Sequence, residues 1–297
     1  MLNVASVAGA LFFGCLLFWG YLGALHASGD SIAVFRMPLA VLFALFVIWT
    51  PWRRRVRWPL AVLAMGVIWV TSWPEDHVVP ARVQADLTIY QQNLRHSRIH
   101  NDDFLEQVRL VDPDVVTFQE VSPQNQHLRA SLSDILPFQH YCDFSIVGGT
   151  AVLSRYPLVP GQLRCIEKEG VTMMQVVTEW GPVWIVSLHL RWPWPYGQDR
   201  HLELILPYLE ELEGPILFAG DFNTVPWSHA ITRLERATGT KRLGPRPVTF
   251  RLPKIRMPVT IDHVLADPMF EGSVVSVSGR GSDHWGLVAH LTVRGGE

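Results

Sequence analysis

The chain has 297 residues, of which 48% are hydrophobic and 18% charged, and its net charge is −2. This apolar content excludes a disordered chain, and the near-neutral charge provides no overall basic field of the kind that binds nucleic acid. Residues 1–73 contain five of the 25 basic and one of the 27 acidic residues, which leaves 20 basic and 26 acidic residues, a net charge of −6, in the rest. The sequence therefore predicts an apolar N-terminal region followed by an acidic folded domain.

The N-terminal region contains three long apolar runs, at 6–25, 32–50 and 58–73. A helix needs about 20 such residues to cross a hydrocarbon core of about 30 Å, and helices satisfy their own backbone groups in lipid. We predict three transmembrane helices at these positions within a region 1–73. A turn-rich linker at 74–84 is predicted to follow.

The loop between the second and third runs sets the predicted orientation. Four arginines at positions 53, 54, 55 and 57 place this loop on the cytoplasmic side. If 58–73 crosses, the domain 85–297 is periplasmic or extracellular, and if that short run lies at the interface, the domain is cytoplasmic. Because residues 1–27 lack Lys and Arg, a retained anchor is favoured over a cleaved signal peptide. We predict a multi-pass protein of the inner (cell) membrane with an exported domain and the lipid bilayer as a partner.

Residues 85–297 show short apolar strands with helical patterns between them. Strands are predicted at 86–92, 114–119, 149–154, 183–188, 215–220, 259–266, 273–278 and 286–293, and helices at 101–111 and 198–212. Many strands with interspersed helices favour an α/β or α+β sandwich around packed sheets. Cys142 and Cys165 either pair in an oxidising compartment or remain buried thiols, and the residues leave both open.

Polar side chains repeatedly follow these apolar strands. They are Glu120, His189, Asp221, Asn223, Asp283 and His284. A single polar residue after a strand is typical of a turn or a helix cap. Their recurrence in one domain indicates a site, because the loops at strand ends present chemistry on a rigid scaffold.

The residue types restrict the chemistry of this site. Glu120 and Asp283 are hard oxygen donors that suit Mg²⁺, Mn²⁺ or Ca²⁺ rather than zinc. His189 and His284 can donate hydrogen bonds to an anionic oxygen or transfer protons near neutral pH. Asp221 can orient and deprotonate a water molecule. Together these groups predict metal-assisted hydrolysis of a phosphate ester.

Seven short motifs occur in order along this domain. They are YQQNLR (90–95), TFQEV (117–121), VLSRYPL (152–158), VSLHL (186–190), GDFNTVP (220–226), IDHVL (261–265) and GSDHWGL (281–287). The series resembles that of the endonuclease/exonuclease/phosphatase family, which includes deoxyribonuclease I-like nucleases, neutral sphingomyelinases and inositol-phosphate phosphatases. The resemblance spans residues 85–293. It implies a four-layer α/β sandwich of two packed mixed sheets flanked by helices, with a Mg²⁺-dependent hydrolase site at one end.

The resemblance also implies roles for residues of the first half of the series. Glu120 matches the metal-ligand glutamate, and Asn93 matches the motif asparagine beside it, which contacts metal and substrate. Asp221 matches the aspartate that positions the attacking water. Asn223 matches its phosphate-binding companion.

Four further positions complete the implied site. His189 falls where nuclease members place a phosphate-contacting histidine on the leaving-group side, and we find no acid to pair with it. Asp283 is implied near the metal and His284 on the phosphate or nucleophile. Asp262 matches the aspartate that orients this histidine.

Two segments bear on the substrate. Residues 241–256 carry six basic residues and no acid, which indicates a solvated face or a phosphate-gripping loop. RWPWPY (191–196) places three aromatic residues after His189, which pack down, stack on bases or contact a bilayer interface. We predict a membrane-anchored phosphodiesterase acting on lipid or another envelope phosphoester, with a DNA or RNA nuclease as the first alternative and a non-catalytic scaffold as the second. No obligate protein partner is expected.

Overall fold

The computed structural model describes residues 2–72, 84–99 and 102–295. Most of the predicted linker at 74–84 therefore lies outside the described residues. The N-terminal region forms helices α1 (Leu2–Trp19), α2 (Ser28–Ala33), α3 (Arg36–Ile48) and α4 (Arg54–Thr71). Helix α3 packs against both α1 and α4. The approach of α1 to α3 is close because residue 9 is a glycine, at which a Cβ atom would lie 2.3 Å from the Phe46 ring.

The prediction that this region crosses a membrane is wrong. Among the residues that the structure describes, no helix is long and apolar enough to span a bilayer. The predicted span 6–25 leaves the helical conformation after Trp19, and the predicted span 32–50 is interrupted by a turn at 34–35. The third predicted span lies in α4, whose first turn carries three arginines. The predicted multi-pass inner-membrane location is wrong on the same finding.

The rest of the described chain forms two mixed sheets and four helices. The strands are β1 (Leu87–Asn93), β2 (Val115–Val121), β3 (Phe138–Ser145), β4 (Gly148–Ser154), β5 (Leu158–Ile166), β6 (Val171–Thr178), β7 (Gly181–His189), β8 (Ile216–Asp221), β9 (Lys241–Arg242), β10 (Phe250–Arg251), β11 (Pro258–Val259), β12 (Asp262–Ala266), β13 (Phe270–Val277) and β14 (Gly286–Val293). The helices are α5 (Asp102–Val111), α6 (His127–Ser131), α7 (Gln198–Glu210) and α8 (His229–Thr238).

Each sheet has six strands. The order is β13-β14-β1-β2-β4-β3 in the first sheet and β5-β6-β7-β8-β12-β9 in the second, with β10 and β11 forming a separate ribbon. The pairs β1–β2 and β7–β8 are parallel. Strand β12 runs antiparallel to β8, and β14 runs antiparallel to β1.

Apolar side chains alternate between the two faces of these strands and build three layers of core. Ile89 and Ile185 belong to a cluster between the two sheets. On the outer face of the first sheet, Phe104 of α5 packs in a cluster with strand residues, and on the second sheet Leu202 of α7 does the same. Two mixed sheets flanked by helices agree with the predicted sandwich, whereas the transmembrane region predicted before it does not.

Helix α2 attaches the N-terminal region to the sandwich. Both carboxylate oxygens of Asp30 accept backbone hydrogen bonds at the start of α8, from His229 N at 2.7 Å and Ala230 N at 3.0 Å. The Trp227 indole donates to the Ala33 carbonyl at 2.9 Å. A buried carboxylate at a helix N-terminus satisfies N–H groups that have no partner within the helix.

Cys142 and Cys165 form a disulfide, with their Cα atoms 5.6 Å apart. Cys142 lies on β3 and Cys165 on β5, which are edge strands of the first and second sheets. The disulfide therefore joins the two sheets at one side of the sandwich. Of the two states left open by the sequence, the structure has the paired one.

Candidate active site

Five of the predicted site residues lie at strand ends on one edge of the sandwich. Asn93, His189 and Asp221 are the last residues of β1, β7 and β8, Glu120 is the last but one of β2, and Asp262 is the first of β12. Parallel strands bring their carboxyl ends to the same edge, and an antiparallel neighbour adds its amino end. In the second sheet, the register places Asp221 directly beside both His189 and Asp262.

The Asp221 carboxylate is the centre of the site. Its Oδ2 atom lies 3.0 Å from Asn93 Nδ2, 3.5 Å from His189 Nε2 and 3.7 Å from His284 Nε2. Burial raises the pKa of Asp221 to about 8, although the nearby charge of His284 opposes the shift. A carboxyl group with such a pKa exchanges its proton near neutral pH, as a general base requires.

His284 is held by Asp262. The His284 Nδ1 atom is 2.9 Å from Asp262 Oδ2, so the proton lies on Nδ1 and the Nε2 edge is turned towards Asp221. Burial alone would lower the pKa of His284, but the charges of Asp262 and Asp221 and the hydrogen bond to Asp262 raise it to about 10. The imidazole is therefore a cation at neutral pH.

Glu120 lies at the partly exposed side of the site and is held by His96, a residue not predicted from the sequence. One carboxylate oxygen accepts hydrogen bonds from the His96 backbone N at 2.7 Å and lies 2.9 Å from His96 Nδ1. The other accepts from Asn93 Nδ2 at 3.2 Å. Burial would raise the pKa of Glu120, but its interaction with His189 and the hydrogen bonds from His96 and Asn93 lower it, so the carboxylate is ionised. His96 lies three residues after the end of β1, and no apolar run stops at it in the sequence.

Glu120 and Asn223 both have left-handed backbone conformations, with φ of 57° and 50°. A non-glycine residue in this region carries a conformational cost of about 1 kcal/mol or more. Each lies at or just beyond the end of a strand, where the chain turns sharply at the site edge. Such strain persists where the surrounding structure fixes the side chain in place.

The donor set fits a divalent cation. Four carboxyl groups lie near the charged imidazole of His284. They belong to Glu120, Asp221, Asp262 and Asp283. The other imidazole of the site, that of His189, is neutral because burial lowers its pKa to about 4. Ligand atoms of Asp221, Asp262 and His284 lie within 4.8 Å of one another. This trio is buried, however, and Asp262 is already bonded to His284. The partly exposed Glu120, with Asn93 beside it, is therefore the better position for Mg²⁺, which takes oxygen ligands and retains water.

Two predicted site residues differ from the expected arrangement. Asp283 is set towards solvent with 47% of its side chain exposed, and its carboxylate lies 4.0 Å from Arg95 Nε. Asn223 is buried, and its side-chain amide donates to the Leu190 carbonyl at 2.8 Å. The backbone N of Asn223 donates to Asp221 Oδ1 at 2.9 Å. Asn223 thus contributes to the orientation of Asp221.

His189 has no carboxylate on its second ring nitrogen. Among the described residues, its Nδ1 atom is buried without a hydrogen-bond partner, and the Phe144 ring packs edge-on at 5.3 Å between centroids. Glu169, the nearby acid, lies instead 3.3 Å from His201 Nε2.

A buried polar network below the site joins the two sheets. Gln91 Nε2 donates to Gln119 Oε1 at 2.7 Å and to Asp262 Oδ1 at 2.9 Å. Gln119 Nε2 donates to Ser187 Oγ at 3.0 Å. None of these three residues was predicted from the sequence, although polar residues in fully buried strands are a signal of such a network.

Residues 90–284, well over half of the chain, match the sequence profile described as the Endonuclease/Exonuclease/phosphatase family. The chain belongs to this family. The matched range begins in β1 and ends at His284, so it contains every predicted site residue. The family prediction made from the motifs is confirmed.

Solved structures of the family share the fold. Truncated TDP2 of Caenorhabditis elegans is 15% identical, with a TM-score of 0.55 over 69% of this chain and 97% of that chain. An endonuclease/exonuclease/phosphatase family protein from Leptotrichia buccalis is 14% identical, with a TM-score of 0.54 over 68% and 98%. Sphingomyelinase C from Streptomyces griseocarneus is 16% identical, with a TM-score of 0.50 over 70% and 99%. No curated protein sequence matches the chain.

Family membership establishes the class of activity. The protein is a metal-dependent phosphoester hydrolase, and Mg²⁺ is the family's cofactor. The predictions of enzyme class and cofactor are thus confirmed, and the alternative of a non-catalytic scaffold is set aside. Membership does not give the substrate, because one fold supports many activities.

Proposed function

We propose that the protein is a phosphodiesterase in which Asp221 orients and deprotonates the attacking water. The contacts of Asp221 Oδ2 with Asn93, His189 and His284, all within 3.7 Å, are the observation that carries this proposal. Burial raises the pKa of Asp221, which makes its carboxylate a stronger base towards the attacking water.

The neighbouring residues bind the phosphate and the metal ion. The His284 cation donates from Nε2 to a phosphoryl oxygen, while Asp262 holds its Nδ1–H. His189, which is neutral, presents Nε2 on the other side of Asp221, where it contacts the leaving-group side of the phosphate. Glu120 and Asn93 would hold Mg²⁺, which when bound polarises a phosphoryl oxygen and offsets developing negative charge.

We favour a lipid or another phosphoester with an apolar substituent as the substrate. Residues 74–297 have a net charge of −6, whereas a strong nucleic-acid binder presents a basic surface. The basic segment 241–256 is partly engaged within the fold. Arg242 is largely buried and donates to the carbonyls of Leu243 and Pro245, and Arg246 stacks over the Trp227 ring.

A nuclease is the second candidate, and the loop after β7 supports it. Trp192, Trp194 and Tyr196 are 37%, 50% and 71% exposed. Exposed aromatic side chains near a phosphate-binding site can stack on bases without reading their sequence. The Mg²⁺-dependent activity is the same in both candidates, so only the preferred substrate separates them.

Hydrolysis of bis(4-nitrophenyl) phosphate tests the catalytic assignment. Asp221→Asn should reduce kcat by at least 100-fold with Mg²⁺ and leave the melting temperature within a few degrees of the wild type. Asp134→Asn is the matched control, because Asp134 is exposed on the surface and pairs with Arg109 away from the site. Equal rates for Asp221→Asn and the control would contradict the proposal.

A substrate panel tests the substrate class. It consists of sphingomyelin, glycerophospholipids, inositol phosphates, RNA, and single- and double-stranded DNA, each assayed with Mg²⁺ and with EDTA. We expect a lipid phosphodiester to have the highest kcat/KM. A clear preference for DNA or RNA would replace the first candidate with the second.

A further inference from the structure

An apolar cavity of about 230 Å³ lies beside the proposed hydrolytic site. Its apolar walls include Val34, Phe35, Trp192, Trp194, Leu252 and Ile261. Asn223, which orients Asp221, also lines the cavity. The cavity is therefore built by three separated parts of the chain: the segment around α2, the aromatic loop after β7, and the region around β10–β12.

Specific contacts hold the α2 wall against the rest of the cavity. Ser31 Oγ donates to the Trp194 carbonyl at 2.6 Å, across 163 residues of sequence. The Trp227 indole bonds the Ala33 carbonyl, and Asp30 caps α8 with two backbone hydrogen bonds. A wall fixed at four points on the catalytic domain presents a preformed surface to a ligand.

The lining chemistry selects the occupant. The Ser31 hydroxyl donates to the Trp194 carbonyl, and the Asn223 side-chain amide donates to the Leu190 carbonyl. This leaves few polar groups on the lining for a ligand, chiefly the Asn223 Oδ1 atom and the Tyr196 hydroxyl. A nucleobase placed here would lose water from more polar edge groups than these two partners can satisfy, which disfavours its binding. A hydrocarbon group carries no such cost. A cavity of about 150 Å³ holds benzene, so this one suits an alkyl chain of several carbons or one aromatic ring.

The cavity is continuous with the groups that handle the phosphate. Asn223 lines it and donates its backbone N–H to Asp221. On the other side, the Trp192 ring lies 5.9 Å from the Phe250 ring, which in turn lies 4.7 Å from the His284 ring. A substituent in the cavity therefore leaves its phosphate within reach of Asp221 and His284.

We propose that this cavity binds a hydrocarbon substituent of the phosphodiester substrate, and that the α2 segment, residues 28–35, is a specificity-determining wall of the site. The inference rests on the proposed phosphodiesterase function. The α2 segment lies outside residues 90–284, which match the family, so this wall belongs to this chain's own N-terminal region.

The test compares 4-nitrophenyl phosphodiesters with one leaving group and a methyl, hexyl or thymidine-5′-yl second substituent. For the full-length wild type with Mg²⁺, we expect kcat/KM for the hexyl ester to exceed that of the methyl ester at least tenfold, mainly through KM, and to exceed that of the nucleoside ester. Val34→Trp, which fills the cavity, should reduce the hexyl-to-methyl ratio at least fivefold. Val62→Trp, the same change at an exposed position on α4, should leave it unchanged.

A second variant separates cavity effects from damage to the fold. Phe35→Ala enlarges the cavity, so the preferred alkyl chain should lengthen from hexyl towards decyl, opposite to the effect of Val34→Trp. If the methyl ester is hydrolysed without a hexyl preference, or if both variants retain the wild-type preference, the inference fails while the proposed function stands. A preference for the nucleoside ester also overturns it. If the wild type hydrolyses none of the esters, both proposals fail together.

Discussion

Two aspartates that face each other across a strand pair lie beside different ring nitrogen atoms of the same histidine. Asp221 on β8 and Asp262 on β12 are in register, and both are buried. Asp262 bonds the Nδ1 atom of His284, while Asp221 lies near its Nε2 atom. Asp262 therefore positions the imidazole, while Asp221 lies on the side of the ring where the proposed reaction takes place.

Removing the charge of Asp262 should therefore act on catalysis through His284. Asp262→Asn is expected to lower kcat/KM by about 10²–10⁴-fold, because an amide does not stabilise the imidazolium or fix its Nδ1 proton. The measurement is Mg²⁺-dependent phosphodiester hydrolysis together with thermal unfolding. Asp267→Asn, just beyond the same strand, is the control. A rate within threefold of the wild type would contradict the assigned role.

His263, the next residue along β12, should make stability depend on pH. Burial lowers its pKa to about 3, and its Nε2 atom lies 2.8 Å from the Thr224 carbonyl. Between the unfolded value of about 6.5 and the folded value, the unfolded state binds more protons, so stability falls as the pH falls. From pH 6.5 to 5, we expect the free energy of unfolding of the wild type to drop by about 2 kcal/mol more than that of His263→Gln. Urea unfolding at several pH values measures this, and parallel curves would refute it.

The side chains that end strands were predicted from the sequence, whereas those that pair across the sheets were not. Glu120, His189 and Asp221 were found because an apolar run stops at each of them. His96 and Gln91 were not found, because their partners are distant in the sequence and depend on strand order and register. Such pairings follow from the fold and not from local pattern.

Among the elements, helix α8 depends on a residue from the other end of the chain. Ser228 caps the helix locally by accepting from Ile231 N at 3.2 Å. The first two N–H groups of α8 are satisfied by Asp30, about 200 residues earlier. One buried carboxylate therefore couples the N-terminal region to the catalytic domain.

Asp30→Ala should lower the free energy of unfolding by about 2 kcal/mol, because two buried N–H groups lose their acceptor. Asp30→Asn, which keeps one oxygen, should show a smaller loss. Urea unfolding monitored by tryptophan fluorescence gives both values. Asp199→Ala in the exposed first turn of α7 is the control and should change stability by about 0.5 kcal/mol or less. Equal losses for Asp30→Ala and Asp199→Ala would show that the contact contributes no stability.

The elements of the catalytic domain were better predicted than those of the N-terminal region. Alternating or continuous apolar runs identified strands such as β2, β7 and β8, because a buried strand needs apolar residues at regular positions along its own sequence. The same apolar content at 6–25 and 32–50 did not reveal the turns after Trp19 and at 34–35. These turns accompany the docking of α2 on the sandwich, a long-range contact that hydropathy does not encode.

For the whole molecule, the disulfide is the covalent link between the two sheets. Its partners are 23 residues apart, and a loop of this length limits the unfolded chain enough to contribute about 3 kcal/mol. We expect the double variant Cys142→Ala, Cys165→Ala to lose about this amount in urea unfolding, and the wild type to reach the same value after reduction. A wild type whose unfolding is insensitive to reductant would contradict this expectation.

The left-handed backbone at Glu120 and Asn223 implies that thermal stability and catalytic activity place opposite demands on these two positions. A glycine at either position would relieve the conformational cost of the left-handed backbone and would remove a side chain on which the site depends. Directed evolution that selects only for survival at high temperature should therefore enrich glycine at positions 120 and 223 and yield inactive enzymes. Stabilisation campaigns on this scaffold should hold both positions constant and seek their gains elsewhere.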